Sequence, residues 1–545
     1  MRSTPPLLLA LALLAPACAS SPTAADLEDV EDGLAVADGK ADDFLSLSAR
    51  EYIVAGRATV TLEPELATAS EQDKLTRVHE LIGLEQTAIA WFLNQYLVDK
   101  EHEDTNANYG GFGAMAKNQT YEEMNITAVD AVTYAFDFKQ LIAGRIDLLN
   151  QLPLATAADG TKQLVLTIGL PTNAELAQLE TNNEWYRRAP WSAWNPATVP
   201  ADKKTDLTLS ITLERDSHDA WFDYQSLFAD DKLTIDVHFG WDYHSEYHVK
   251  HARALFEWLK QKGFRAPVAT FEELDRASGP FTRRLDADGR PIEVQVRIFY
   301  GKTGTDTDPD TDAGGRVLEG DMRASLADSD VIVYSGHSGP FYGFALANWR
   351  RTDEGDFDDT EMRTAQMPSD RYQIVVAEGC DTYQIGAAFG ANPAKPDLHN
   401  VDVITTTSFS NASTPATVES FITRLIESDS RGRHRPQTVK SLLTDLDSAS
   451  SWSFHTMYGI HGIDDNPHAH PYGRTENLCQ SCRVNADCGG LGNMCVTVGS
   501  TGRHCTFACT DDGGCPDGYG CRLIASQSSR AIYTSACIPS DLACR

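Results

Sequence analysis

The sequence predicts an α/β domain built on a mostly parallel sheet with helices on both faces, preceded by an α+β region and followed by a small disulfide-rich module. Three observations predict it. The runs Val331-Ile332-Val333-Tyr334, Tyr372-Gln373-Ile374-Val375-Val376 and Val401-Asp402-Val403-Ile404 are nearly continuous apolar segments set among helical patterns. Strands buried on both faces read this way. Residues 52–62 tend to alternate in polarity, as a half-buried strand does, and residues 74–96 then follow helical spacing. Ten of the 12 cysteines fall within the last 67 residues.

At the N-terminus, Arg2 precedes an apolar run over residues 7–14 and then Ala15-Pro16-Ala17-Cys18. That is the charge, core and small-residue order of a secretory signal over residues 1–18, and the apolar run is too short to span a bilayer. The cysteine after small residues resembles the lipobox of bacterial lipoproteins, which implies lipidation of Cys18 and a membrane anchor. Cleavage at an ordinary A-x-A site is the alternative. Residues 19–43 are small and acidic without aromatics, and are expected to form a disordered tether.

The chain carries 78 acidic against 46 basic residues, a formal charge of -32. This excludes nucleic acid as an expected partner, since phosphate contacts need clustered Lys and Arg. No later segment is long and apolar enough for a membrane helix.

Residues 44–230 read as an α+β accessory domain, with further strands over 163–169 and 207–213. Its loop holds Trp185, Trp191 and Trp194, for which packing against the sheet is the expected role. The α/β domain is expected over 231–470. Leu233, Ile235, Val237 and Phe239 alternate as a strand, and Val249, Ala252, Leu255, Phe256 and Leu259 make one helix face that Gly263 closes. Residues 281–300 read as a hairpin about Asp288-Gly289. A short helix fits 318–327, and another carries Val418, Phe421, Ile422, Leu425 and Ile426.

The module over 471–545 holds Cys479, Cys482, Cys488, Cys495, Cys505, Cys509, Cys515, Cys521, Cys537 and Cys544. An even, dense set in a Gly-rich exported segment reads as disulfides, with connectivity left open. A zinc site opening at Cys479 and Cys482 lacks the second CxxC it needs. Cys380 is the remainder, and a leftover thiol in an exported chain is either buried and inert or chemically employed.

Functional residues of open α/β sheets gather beyond the carboxyl ends of strands. Two such ends read Tyr334-Ser335-Gly336-His337-Ser338-Gly339 and Ala377-Glu378-Gly379-Cys380-Asp381. If the strands are parallel neighbours, an imidazole can reach a thiol and draw off its proton, which a thiol of pKa about 8.5 requires. A strand ending in His beside Gly, with a strand ending in Cys 43 residues on, resembles the caspase, legumain and gingipain clan of cysteine peptidases. The resemblance covers residues 233–428, less than half of the chain. It implies a caspase-like fold, Cys380 as nucleophile and His337 as the residue that moves protons. The backbone N–H of Cys380 and one from Ser338 or Gly339 would hold the oxyanion. Two positions depart from the clan: Ser338 stands where it has Gly, and Gly379 where it has Ala.

Two further clusters have metal-ligand spacing. If the helix begins by His244, then His244, His248 and His251 share one face and offer zinc ligands, against a solvated helix start. Asp306, Asp308, Asp310 and Asp312 alternate in a loop that breaks the EF-hand pattern, so the expectations are a structural calcium site of another kind or a plain acidic loop. No cofactor is required by the proposed chemistry.

The expectation is therefore an exported cysteine peptidase-like protein, secreted or held at the cell envelope or outer membrane, that acts on protein or peptide. It would work through a Cys–His dyad and a thioester. The alternative is a catalytically inactive, surface-anchored binding or adhesion protein.

Overall fold

The computed structural model describes residues 44–103, 121–179, 185–242, 246–339, 343–450, 453–525 and 533–544. Cys18, the signal and the tether lie outside these residues, as does His244.

The central sheet has eight strands in the order Leu45–Ser46, Tyr458–His461, Val401–Thr406, Gln373–Glu378, Val331–Ser335, Lys232–Phe239, Arg290–Tyr300 and Phe281–Ala287. The five strands from Val401–Thr406 to Arg290–Tyr300 are parallel. The outer strands at both edges run antiparallel. Alternate residues of each apolar run face opposite sides. Val331, Val333, Ile374 and Val376 pack with Leu255, Val418 and Leu442, while Ile332, Tyr334, Val375 and Ala377 pack with Leu318, Met322 and Phe389. These helical residues come from Tyr247–Gln261, Ala416–Leu425 and Val439–Leu446 on one face, and from Asp312–Asp328 and Ile385–Gly390 on the other. The continuous apolar runs thus mark strands with no solvent face. Each fully buried Val or Ile contributes about 1.5–3 kcal/mol.

Local sequence sets the ends of these elements. Asp288 and Gly289 take φ of 53° and 91°, both positive as a two-residue hairpin turn demands. The Asp312–Asp328 helix starts earlier than apolar spacing shows because Thr311 caps it, accepting the Gly314 N–H at 3.1 Å.

The accessory region is a six-stranded antiparallel sheet, order Tyr121–Ala128, Thr133–Arg145, Ala49–Thr61, Lys204–Leu213, Lys162–Gly169 and Ala155–Thr156. The Glu71–Glu103 helix covers one face through Val78, Leu81, Ile82 and Phe92. Trp185, Trp191 and Trp194 are buried against Phe92, so they pack as expected. The segment from Phe44 serves both sheets. Leu45–Ser46 pairs with Tyr458–His461, and the chain then continues into Ala49–Thr61. Phe222, Tyr224 and Phe228 likewise pack into the central core.

All ten C-terminal cysteines pair, as Cys479–Cys544, Cys482–Cys495, Cys488–Cys505, Cys509–Cys521 and Cys515–Cys537. Five disulfides are the signature of a chain that folds in an oxidising compartment. No described helix is long and apolar enough to cross a membrane.

Candidate active site

Four consecutive strands deliver one polar side chain each just past their carboxyl ends. In sheet order they are Asp242, His337, Cys380 and Ser410, following Lys232–Phe239, Val331–Ser335, Gln373–Glu378 and Val401–Thr406. The His and Cys strands are parallel neighbours in the register Tyr334 to Ala377 and Ser335 to Glu378. Their continuations stay joined. The Gly336 N–H donates to the Glu378 carbonyl at 3.1 Å, and Ser338 Oγ donates to the Cys380 carbonyl at 2.8 Å.

His337 is held from the other side. Its Nε2 lies 3.0 Å from Asp242 Oδ2, and the Asp242 side chain is only 4% exposed. Two glycines make this approach. A Cβ on Gly336 would stand 2.7 Å from the Gly240 Cα, and the Gly240 N–H donates to the Ser335 carbonyl at 2.9 Å. The Trp241 N–H and the His337 carbonyl are tied to opposite atoms of Ala345, at 2.9 and 3.0 Å. A buried carboxylate this close to an imidazole can orient its ring. Asp242 was legible only by extending the strand-end rule to Phe239-Gly240-Trp241-Asp242.

Cys380 is the free cysteine among the described residues. The residue keeps part of its surface open, while the thiol is enclosed. Burial, with the adjacent Asp381 carboxylate adding to it, pushes the thiol up to about 12, and hydrogen bonding from the Ser410 N–H and hydroxyl draws it back. The two side chains are therefore engaged on opposite sides: Ser410 draws the thiol down on one, and Asp242 Oδ2 lies at ion-pair distance from His337 Nε2 on the other. The Cys380 N–H donates to no acceptor among the described residues, as an oxyanion donor requires. Ser338 and Gly339 pair with Phe344 and Gly343 in a short hairpin beside it.

Two buried carboxyls flank the cysteine. Glu378 is raised by burial to about 7, against hydrogen bonds from Ser335, Tyr458 and Ser410. Asp381 is raised by burial to about 7 and has φ of 51°, in the left-handed region. A pocket of about 360 Å³ opens on the Asp242 side, lined in part by Trp241, Glu246, His248, Arg350 and Arg351.

The four loop aspartates serve separate tasks. Asp306 faces Arg276 and Asp308 accepts the Gly304 and Asp310 N–H groups. Asp310 binds Asn348 and Arg351, and Asp312 accepts from Thr352 and the Asp353 N–H. His248 and His251 are buried on the inner side of their helix, a correction to the solvated helix start. Burial lowers His248 to about 4, which keeps it neutral. Among the described residues, the clusters with metal-like ligand spacing consist of cysteines already joined in disulfides.

Comparison with protein-family models, with curated proteins and with solved structures finds no match to this chain.

Proposed function

We propose that the protein is an exported cysteine peptidase of the caspase-like type, with Cys380 as nucleophile, His337 as proton carrier and Asp242 as the group that orients His337. The observation that carries this reading is the order of side chains along the sheet: carboxylate, imidazole and thiol on three adjacent strand ends, with 3.0 Å between the first two. With Nε2 placed 3.0 Å from Asp242 Oδ2, Nδ1 is the nitrogen assigned to the reacting atoms. The thiol is protonated at rest, so attack is coupled to proton removal by His337 rather than preceded by a standing ion pair.

Sulfur then bonds to the peptide carbonyl carbon, and the oxyanion is met by the Cys380 N–H and a neighbour from Ser338 or Gly339. As the C–N bond breaks, the leaving amine takes the proton from His337 and a thioester remains. Water, deprotonated by His337, hydrolyses it and returns the thiol. No metal or cofactor enters these steps. The substrate class is protein or peptide. The sequence supports anchoring through a lipid on Cys18 at the envelope or outer membrane, with the disulfide module as a spacer or capture element.

The test is hydrolysis of a fluorogenic peptide library by the full chain. Cleavage lost in both Cys380→Ala and His337→Ala supports the reading. Cleavage retained in Cys380→Ala would overturn it. One observation favours the rival, an inactive binding or adhesion protein: a thiol raised to about 12 and held by Ser410 is what an inert buried cysteine also shows. That rival predicts no cleavage by any variant.

A further inference from the structure

Consecutive peptide units around the cysteine are tied at their carbonyls to the neighbouring strand ends. The Glu378 carbonyl accepts the Gly336 N–H at 3.1 Å, and the Cys380 carbonyl accepts the Ser338 hydroxyl at 2.8 Å. Between them, the Gly379 carbonyl accepts the Thr406 hydroxyl at 2.7 Å. Thr406 ends the Val401–Thr406 strand, which borders the cysteine strand on the side away from His337. It is fully buried, and so is Thr382, which braces it. The Thr406 N–H donates to Thr382 Oγ1 at 2.8 Å, and the two hydroxyl oxygens lie 3.0 Å apart. Thr382 is anchored in turn, its hydroxyl 2.7 Å from the Ala377 carbonyl and its N–H donating to the Thr406 carbonyl at 3.1 Å.

We infer that Thr406 is a positioning residue for the oxyanion site: by holding the Gly379 carbonyl, its hydroxyl aims the Cys380 N–H at the reacting oxygen. That carbonyl and that N–H belong to one planar trans peptide and point in opposite directions, so a donor that fixes the first fixes the second. With the carbonyl turned to Thr406, the Cys380 N–H faces away from the Thr406 strand, and it donates to no acceptor among the described residues. The sequence explains why a tether is needed here. Ser338 Oγ fills the place of a Cβ on residue 379, which is therefore glycine, and glycine lets the adjoining peptide turn more freely than alanine would. Without the Thr406 hydroxyl the buried carbonyl loses its donor, which favours rotation of the peptide and takes the N–H with it. The inference rests on the peptidase reading for the oxyanion that this N–H meets.

The experiment measures how well a mixture of short peptidyl aldehydes, varied in the residue next to the aldehyde, protects Cys380 of the intact full chain from iodoacetamide, read by mass spectrometry. Sulfur bonds to the aldehyde carbon, the thiol proton passes to His337 and the carbonyl oxygen takes the π electron pair, so the adduct draws on the oxyanion donor. Iodoacetamide exchanges iodide for sulfur at a saturated carbon and needs no such donor. Thr406→Val keeps the shape without the hydroxyl. It should raise the aldehyde concentration that protects half of Cys380 by about tenfold or more, while alkylation without aldehyde stays nearly unchanged. Thr406→Ser should restore protection. Thr405→Val is the control, because the Thr405 hydroxyl is also buried but has no hydrogen-bond partner among the described residues, and it should behave as the wild type. Equal protection of the wild type and Thr406→Val, no protection of the wild type, or an equal loss in Thr405→Val overturns the inference. Should Thr406→Val fail to fold, Thr382→Val removes the brace instead: a partial loss of protection supports the inference and no loss overturns it. Failure of the peptidase reading shows elsewhere, as no peptide cleavage by the wild type, and leaves the aldehyde comparison standing.

Discussion

Ser338 Oγ occupies the space that a methyl group on Gly379 would need, and from there it donates to the Cys380 carbonyl at 2.8 Å. A Cβ on Gly379 would also stand 2.8 Å from the Ser338 Cβ. The two departures from the caspase-like pattern, Ser after His and Gly before Cys, are therefore one packing solution. The small residue sits on the cysteine side and the larger one on the histidine side.

Gly379→Ala alone should overpack this contact and cost about 1–3 kcal/mol of stability. Adding Ser338→Gly should recover most of that loss, less about 1 kcal/mol for the missing hydrogen bond. Urea unfolding of the single and double variants measures the coupling.

Asp242→Asn should leave the melting temperature nearly unchanged and lower kcat by about 10²- to 10⁴-fold, with KM little altered, because an amide cannot stabilise the imidazolium. A steady-state comparison on one cleaved peptide decides it.

The disulfide pattern predicts a simple labelling result for residues 44–545. Under denaturing but non-reducing conditions, iodoacetamide should modify Cys380 and none of the ten cysteines from Cys479 to Cys544. Peptide mapping with mass spectrometry reads it directly.

Stability should fall as pH rises from about 6.5 to about 8.5. Burial raises Asp402 to about 8, and Glu85, Glu378, Asp381 and Asp447 to about 7. Between their unfolded values and these, the folded chain binds more protons than the unfolded one, so stability drops with pH. His238, His248, His434 and His470, lowered to about 4, act in the opposite sense, but only below their ordinary value of 6.5. The carboxyls therefore dominate above it. Scanning calorimetry should show a melting temperature that declines across this window, and Asp402→Asn should flatten the decline.

Much of this architecture could be read from residue order. The apolar runs at Val331, Ile374 and Val401 gave the buried parallel strands because nothing but burial on both faces tolerates such runs. The strand-end rule then located His337 and Cys380. What escaped had weak local signals. Leu45–Ser46 is a two-residue edge strand, and Tyr458–His461, between it and Val401–Thr406, has only four residues; the pairing of both is set by tertiary contact alone. The Val439–Leu446 helix is just eight residues. Asp242 sits in a Gly-Trp-Asp turn with no periodicity to mark it, and Ser410 belongs to an ordinary polar loop. Both stand out only once the strand order places them beside His337 and Cys380. The alternating aspartates from Asp306 to Asp312 suggested a cation by composition, yet each carboxylate meets a different protein donor.

The most direct test of the central claim is covalent capture of the full chain by a peptidyl acyloxymethyl ketone, located by mass spectrometry. The account predicts a peptide adduct on the Cys380 sulfur, formed at least about tenfold more slowly in His337→Ala. An unmodified Cys380, or equal capture rates with and without the imidazole, would contradict it.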